Sequence, residues 1–256
     1  MPIAVLQPIR RLLHEAYREL APDYVLHGSA VLPAKHLRYC GHKFKDDEYF
    51  LASAKAEAER LVKQTNLSRQ SRILDLGCGV GRLPLGIIAK EFEIESYWGL
   101  DVDERSIRWC KKHIQPEHPN FQFLHTDVRS ERYNPKGTKS CTTFRLPFDD
   151  QSLDIIYSYS VFSHMLTEDV RIYTGEFKRV LAPSGSAFLT AFVEDNVPDV
   201  IENPVGYKMA WNGVLHCVRY NGTFLSHVFT NAGLQISNFV YGQETDGQSA
   251  FYLAHS

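Results

Sequence analysis

At 256 residues, with 44% hydrophobic and 23% charged residues, the chain has the composition of an ordinary globular protein, which excludes a disordered or fibrous one. The formal net charge of -2 comes with no block of five or six like charges, which argues against a nucleic-acid partner. The five cysteines (Cys40, Cys78, Cys110, Cys141, Cys217) form no C-x-x-C pair, and the eleven histidines form no H-x-x-x-H or H-E-x-x-H pattern, so neither a disulfide framework nor a metal site is expected.

Residues 2–20 read as a helix with Leu6, Ile9, Leu13 and Ala16 on one face. This stretch lacks the apolar run of a signal peptide, and no segment approaches the roughly 20 apolar residues needed to span a bilayer, so no membrane role and a cytoplasmic location are expected. Residues 22–45 read as irregular, and a helix is expected from Asp46 to Gln64, opening on three acids that suit a helix N-terminus. Strands and helices then alternate: Arg72–Leu76, Arg82–Lys90, Ser96–Asp101, Glu104–Ile114, Phe121–Thr126, Leu153–Tyr159, then a helix at Glu168–Leu181 with Thr167 as its N-cap, and a strand at Ser186–Val193. The rhythm implies an α/β fold, a parallel sheet with helices on both faces. At the end, a helix at Thr223–Ala232 precedes strands at Leu234–Tyr241 and Ser249–Ala254, whose short polar connection makes them antiparallel. The domain reading is an N-terminal extension or lid at 1–66 and a ligand-binding domain at 67–256.

The chemistry centres on Ile73-Leu74-Asp75-Leu76-Gly77-Cys78-Gly79-Val80-Gly81-Arg82, a buried strand running through a glycine turn into a helix. Glycines let a ligand approach the main chain, and the helix N-terminus presents unpaired N–H groups. A dinucleotide fingerprint needs G-x-G-x-x-G, but here the third glycine comes one place early, with Arg82 where it would stand. Asp75, just before the turn, can hold the loop and attract a cationic amino group. Asp101 ends the second strand, where it can accept the hydroxyls of a ribose. Asp127, after the third, can take an adenine amino group, with Val128 packing on the ring.

These residues resemble the class I S-adenosylmethionine (SAM)-dependent methyltransferases over about 73–193. That resemblance implies a Rossmann-like seven-stranded sheet in the order 3-2-1-4-5-7-6 with strand 7 antiparallel, SAM as cofactor, Gly77, Cys78, Gly79 and Gly81 around its methionine part, Asp101 on the ribose and Asp127 on the adenine. Arg82 and Val102 are placed at the same site. The end of the fourth strand should lie beside the reactive methyl, so Ser158, Ser160 and Val161 are expected to line the cofactor.

For the acceptor side, His164 is the candidate general base, since an unperturbed imidazole titrates near 6.5. It could equally serve only to hydrogen-bond backbone. Tyr133, Asn134 and Lys136, in an insertion at 129–147, and Trp211, in a second at 194–220, are candidate acceptor contacts. The aromatics of 194–220 could instead be the core of a small cap. Tyr39, Phe44, Tyr49 and Phe50 could form a lid or simply pack helices. Tyr133-Asn134-Pro135-Lys136-Gly137, Leu37-Arg38-Tyr39, Tyr49-Phe50 and Ser160–Met165 together resemble a bacterial methyltransferase group associated with sugar and polysaccharide genes. The expected activity is methyl transfer to a small-molecule oxygen, of a sugar or a secondary metabolite. Alternatives are methylation of nitrogen or of a macromolecule, a SAM-binding protein without chemistry, and a dinucleotide-dependent oxidoreductase.

Overall fold

The computed structural model describes residues 22–39, 41–140 and 144–255, so the helix expected at 2–20 lies outside the described residues. Its centre is a nine-stranded sheet. Seven strands run in the spatial order β10 (Leu234–Val240), β11 (Ser249–His255), β7 (Leu181–Glu194), β6 (Leu153–Ser158), β3 (Arg72–Leu76), β4 (Ser96–Asp101), β5 (Phe121–His125). Strand β11 is antiparallel to both β7 and β10, while β7, β6, β3, β4 and β5 are parallel. Counted without the additional strands, this is the expected order. β3 lies between β6 and β4, where the direction of winding reverses, so the loops leaving β3 and β6 separate and open a crevice at the strand ends.

Among the described residues, five helices cover the sheet: α1 (Asp47–Gln64), α2 (Arg82–Ala89), α3 (Glu104–His113), α4 (Thr167–Val180) and α5 (Gly222–Asn231). Two buried clusters divide between the faces. Phe162, Phe177, Leu189 and Phe229 belong to one, and Phe50, Leu61, Ile87, Tyr97, Trp109 and Phe188 to the other. Helix α1 lies tightly on α2, because a Cβ on Gly86 would fall 1.9 Å from the Ala54 carbonyl oxygen. That approach brings the N-terminal segment over the end of β3.

Several details differ from expectation. Residues 22–45 are not wholly irregular: β1 (Tyr24–His27) and β2 (Ala30–Pro33) form a hairpin. Its two-residue turn has Gly28 at φ +62°, as hairpins that begin their turn on glycine require. Thr167 is not an N-cap but the first residue of α4, and Leu166, which precedes it, provides no side-chain cap. Within 194–220, β8 (Val200–Glu202) and β9 (Val218–Asn221) add to the sheet, β9 running parallel to the end of β7. No helix among the described residues is long and apolar enough to cross a membrane.

Candidate active site

The loop after β3 is held by backbone and by one side chain. Gly77 N–H and Cys78 N–H both donate to the Leu100 carbonyl, at 2.7 and 3.1 Å. Gly79 N–H donates to Asp101 Oδ2 at 2.7 Å, and Asp103 N–H to Asp101 Oδ1 at 2.8 Å. Gly77 has φ +80°, and a Cβ there would meet Val161 Cγ2 at 2.2 Å. Gly79 has φ +51°, with nothing within 4 Å of where its Cβ would stand. One glycine therefore permits close packing, and the other leaves open space.

That space belongs to a cavity of about 530 Å³, its open mouth included. Asp75, Gly77–Val80, Arg82 and Leu83 form one side, Tyr157 and Tyr159 at the end of β6 a second, and Arg38, Tyr39, Phe44, Phe50 and Glu57 from the N-terminal segment a third. Arg38 is buried and knits this third side together, donating to Pro33 and Phe44 carbonyls and to Asp47. Glu57 is paired with Arg82 at 2.6 Å. The Arg82 guanidinium also lies over Phe44 and Tyr159, 4.6 and 4.8 Å from the ring centroids.

Burial governs the acids here. It pushes Asp75 up to about 8, against a hydrogen bond from Tyr97 Oη at 2.5 Å. It raises Glu57 above the ordinary carboxylate range against the pull of Arg82, and pushes Asp101 up to about 6 against its backbone N–H donors. The cavity thus holds two carboxyl groups that resist ionisation beside the Arg82 cation.

Of the residues singled out from the sequence, Asp75, Gly77, Cys78, Gly79 and Arg82 line this cavity together. Gly81 ends the turn and caps α2. Asp101 stands behind Gly79 rather than in the lining. The Val102 carbonyl meets His125 Nε2 at 3.1 Å. Asp127 carries an unexpected load: Asn134 Nδ2 and Thr138 Oγ1 both donate to it, at 3.1 and 2.5 Å, so it anchors the 129–147 insertion. These hydrogen bonds also lower its pKa, Thr138 foremost. Val128 is buried. Ser158 is wholly buried with no partner for its Oγ, Ser160 has φ +58° with its N–H on Thr190 Oγ1, and Val161 packs over Gly77.

On the acceptor side, His164 donates from Nδ1 to the Leu215 carbonyl at 2.9 Å, and its ring meets Tyr133 edge-on at 5.5 Å. Burial pushes it down to about 4. At that value His164 is neutral at pH 7 and a weaker base than the unperturbed imidazole expected from the sequence. Asn134 spends its amide on Asp127 and the Val128 carbonyl, and Lys136 is exposed. Trp211 donates to the Tyr207 carbonyl and packs against Phe192 and His216, the arrangement of a small cap's core. No group of three metal-binding side chains occurs among the described residues.

Sequence reasoning missed Glu57, Arg60, Glu244 and Gln248. Arg60 makes two hydrogen bonds to Glu244, at 2.8 and 2.9 Å, and Gln248 bridges Ser160 Oγ and Thr190 Oγ1 at 2.8 and 2.7 Å. The loop between β10 and β11 is thereby wedged against α1 and the end of β6. Glu57 did carry a signal, an acid within the buried face made by Phe50, Ala54, Ala58 and Leu61.

Residues 74–189 match the family model of a methyltransferase domain. That stretch, a little under half of the chain, is similar to a methyltransferase domain. Among curated relatives, a phthiotriol/phenolphthiotriol dimycocerosates methyltransferase of Mycobacterium tuberculosis is 28% identical over 126 residues, 49% of this chain and 39% of that one. An uncharacterized Haemophilus influenzae protein is 26% identical over 133 residues, 51% of this chain and 46% of that one. The chain thus spans less than half the length of the curated relatives it matches. Of the solved structures, CalO1, a methyltransferase of calicheamicin biosynthesis in its SAH-bound form, superposes with a TM-score of 0.54 at 14% identity, covering 83% of this chain and 56% of that one. The [4+2]-cyclase SpnF superposes with a TM-score of 0.55 at 18% identity, covering 76% and 62%. These likenesses define the fold; function rests on the site.

The cavity fits the methionine end of SAM. That end is a zwitterion, and the lining offers Arg82 toward a carboxylate, Asp75 and Glu57 toward an ammonium, and open space over Gly79. It offers no row of cations for a pyrophosphate.

Proposed function

We propose that this protein transfers the methyl group of SAM to an oxygen atom of a small molecule. The observation that carries this reading is the cavity over Gly79, in which the Asp75 and Glu57 carboxyls and the Arg82 guanidinium offer polar groups complementary to the two ends of an amino acid. The names of two relatives, one for calicheamicin biosynthesis and one for dimycocerosates, support a small-molecule acceptor.

SAM, when bound, supplies a methyl on a positively charged sulfur, already activated for displacement. The protein's part is to hold and orient. In this reading Gly77, Cys78 and Gly79 leave room for the methionine backbone. Asp101 fixes the loop through Gly79 and takes the ribose with its remaining acceptor capacity, while Val102, Asp127 and Val128 bound the adenine side. Residues 22–66, with Arg38, Phe44 and Glu57, close the cavity from above as the lid, which reaches back into 1–21 in the proposed domain division. The insertions at 129–147 and 194–220 form the acceptor side, where Tyr133 and His164 meet. His164, neutral and fixed by Leu215, shapes the site rather than taking a proton. Buried free thiols at Cys78, Cys110 and Cys217 suit the proposed cytoplasmic location.

The test is incubation with SAM and a panel of phenols, sugars, carboxylic acids and nucleosides, read by mass spectrometry. A mass gain of one methylene on an oxygen, with S-adenosylhomocysteine formed in equal amount, is expected. SAM binding without transfer to any of them would favour a protein that only binds the cofactor.

A further inference from the structure

The two insertions meet on one side chain that the sequence did not single out. Arg132 lies in 129–147, and its Nη1 donates to the Val214 carbonyl in 194–220 at 3.3 Å. Its guanidinium carbon stands 5.4 Å from the centroid of the Tyr133 ring, the ring that meets His164. The charge of Arg132 is felt by His164 and by His216, each of whose pKa values it helps to lower, though burial is the larger cause for both. Arg132, Tyr133, His164 and His216 therefore face one another.

What Arg132 lacks is a counter-charge. Its Nε is buried and has no hydrogen-bond partner, and no carboxylate among the described residues forms an ion pair with it. The neighbouring acids are engaged elsewhere. Glu131 pairs with Arg129 at 2.7 Å, Glu202 accepts from Leu215 N–H at 2.7 Å, and Asp127 holds Asn134 and Thr138. Asp246 faces His216. A guanidinium with an orphaned buried N–H is costly to leave unmet. Its planar fork matches a carboxylate in particular.

We propose that the acceptor is a carboxylic acid, held by Arg132 and methylated on its carboxylate oxygen to give a methyl ester. This rests on the methyl-transfer reading above and narrows it. The balance of the step suits the site. A carboxylate lone pair forms the O–CH3 bond while the S–CH3 bond breaks, its electron pair staying on sulfur. The anion and the sulfonium cancel, leaving a neutral ester and neutral S-adenosylhomocysteine. No proton is lost from the acceptor, so no general base is required, and the weak basicity of His164 is no handicap. A hydroxyl acceptor would have to shed a proton, for which the weakly basic His164 is a poor receiver.

The test compares small aromatic and aliphatic carboxylic acids with their primary amides and alcohols, with SAM as donor. The product is then treated with mild base, which releases methanol from an ester but not from an ether. Base-labile methylation of acids, with amides and alcohols at least tenfold poorer, is the expected result. Arg132→Gln should raise KM for the acid about 100-fold with kcat changed far less and SAM affinity unchanged, and Arg132→Lys should recover part of that loss. Base-stable methylation of alcohols or phenols, or an acid KM unmoved in Arg132→Gln, would overturn the carboxylate assignment and leave methyl transfer standing. Absence of SAM binding would instead sink the underlying reading.

Discussion

The Asp101 carboxylate holds the Gly79 N–H at 2.7 Å and, through its other oxygen, the Asp103 N–H at 2.8 Å. The acid expected to recognise a ribose is thus also the anchor of the glycine loop. Asp101→Ala should lose both roles: SAM affinity falls at least 100-fold by calorimetry, and the midpoint of thermal unfolding drops by an amount consistent with about 1 kcal/mol for two part-buried N–H groups left without their acceptor. Because burial places Asp101 at about 6, its carboxylate is present above that pH and lost below it. SAM affinity should therefore weaken as pH falls through 6, and a flat profile down to pH 5 would refute the ribose assignment.

Gly77 and Gly79 should respond differently to the same substitution. Gly77→Ala drives a Cβ into the stiff Val161 side chain at positive φ, and should destabilise the fold by about 2–4 kcal/mol as strain at a left-handed position adds to overpacking. Gly79→Ala meets no neighbour and should cost only about 1–2 kcal/mol of backbone strain, yet it should weaken SAM binding because its methyl enters the cavity. Chemical denaturation and calorimetry on both variants separate the effects.

Asp75 is an acid whose folded pKa lies above its unfolded one. Its contribution to stability is fully present below about 4, where both states are protonated, and declines as pH rises from there toward 8. Asp75→Asn should accordingly stabilise the ligand-free protein at pH 7 and do little at pH 4. It should also weaken SAM binding if the carboxylate meets the ammonium. A variant less stable than the parent at pH 7 would contradict the burial argument.

Arg60 and Glu244 join α1 to the loop between β10 and β11, with Arg60 also donating to Tyr157 Oη and Glu244 accepting from Tyr159 Oη. Truncating either one leaves a largely buried charge alone and should cost about 3 kcal/mol. The double variant should cost less than the sum of the single ones. Strict additivity in denaturant titrations would show that the pair does not couple.

The alternating part of the chain was legible because parallel strands buried on both faces read as apolar runs, and glycine turns mark where they stop. Arg72–Leu76 and Ser96–Asp101 agree with expectation to the residue. Three features were not legible. The β1–β2 hairpin is four residues per strand, too short for its alternation to stand out in 22–45. β8 and β9 exist because the end of β7 offers them an edge, a tertiary cause invisible in Val200–Glu202 alone. The surroundings of Asn134 and His164 were not readable from local pattern: Asn134, an expected acceptor contact, also braces Asp127, and His164, hydrogen-bonded to the Leu215 carbonyl, is shifted by burial. Local pattern locates a side chain on its strand or loop, but not the company that sets its charge.

The central claim is that the cavity over Gly79 binds SAM. Its most direct test is a calorimetric titration of the protein with SAM and, separately, with NAD. The structure predicts saturable binding of one SAM per chain, lost in Gly79→Ala or strongly weakened, and no heat with NAD. Tight NAD binding with no response to SAM would contradict it.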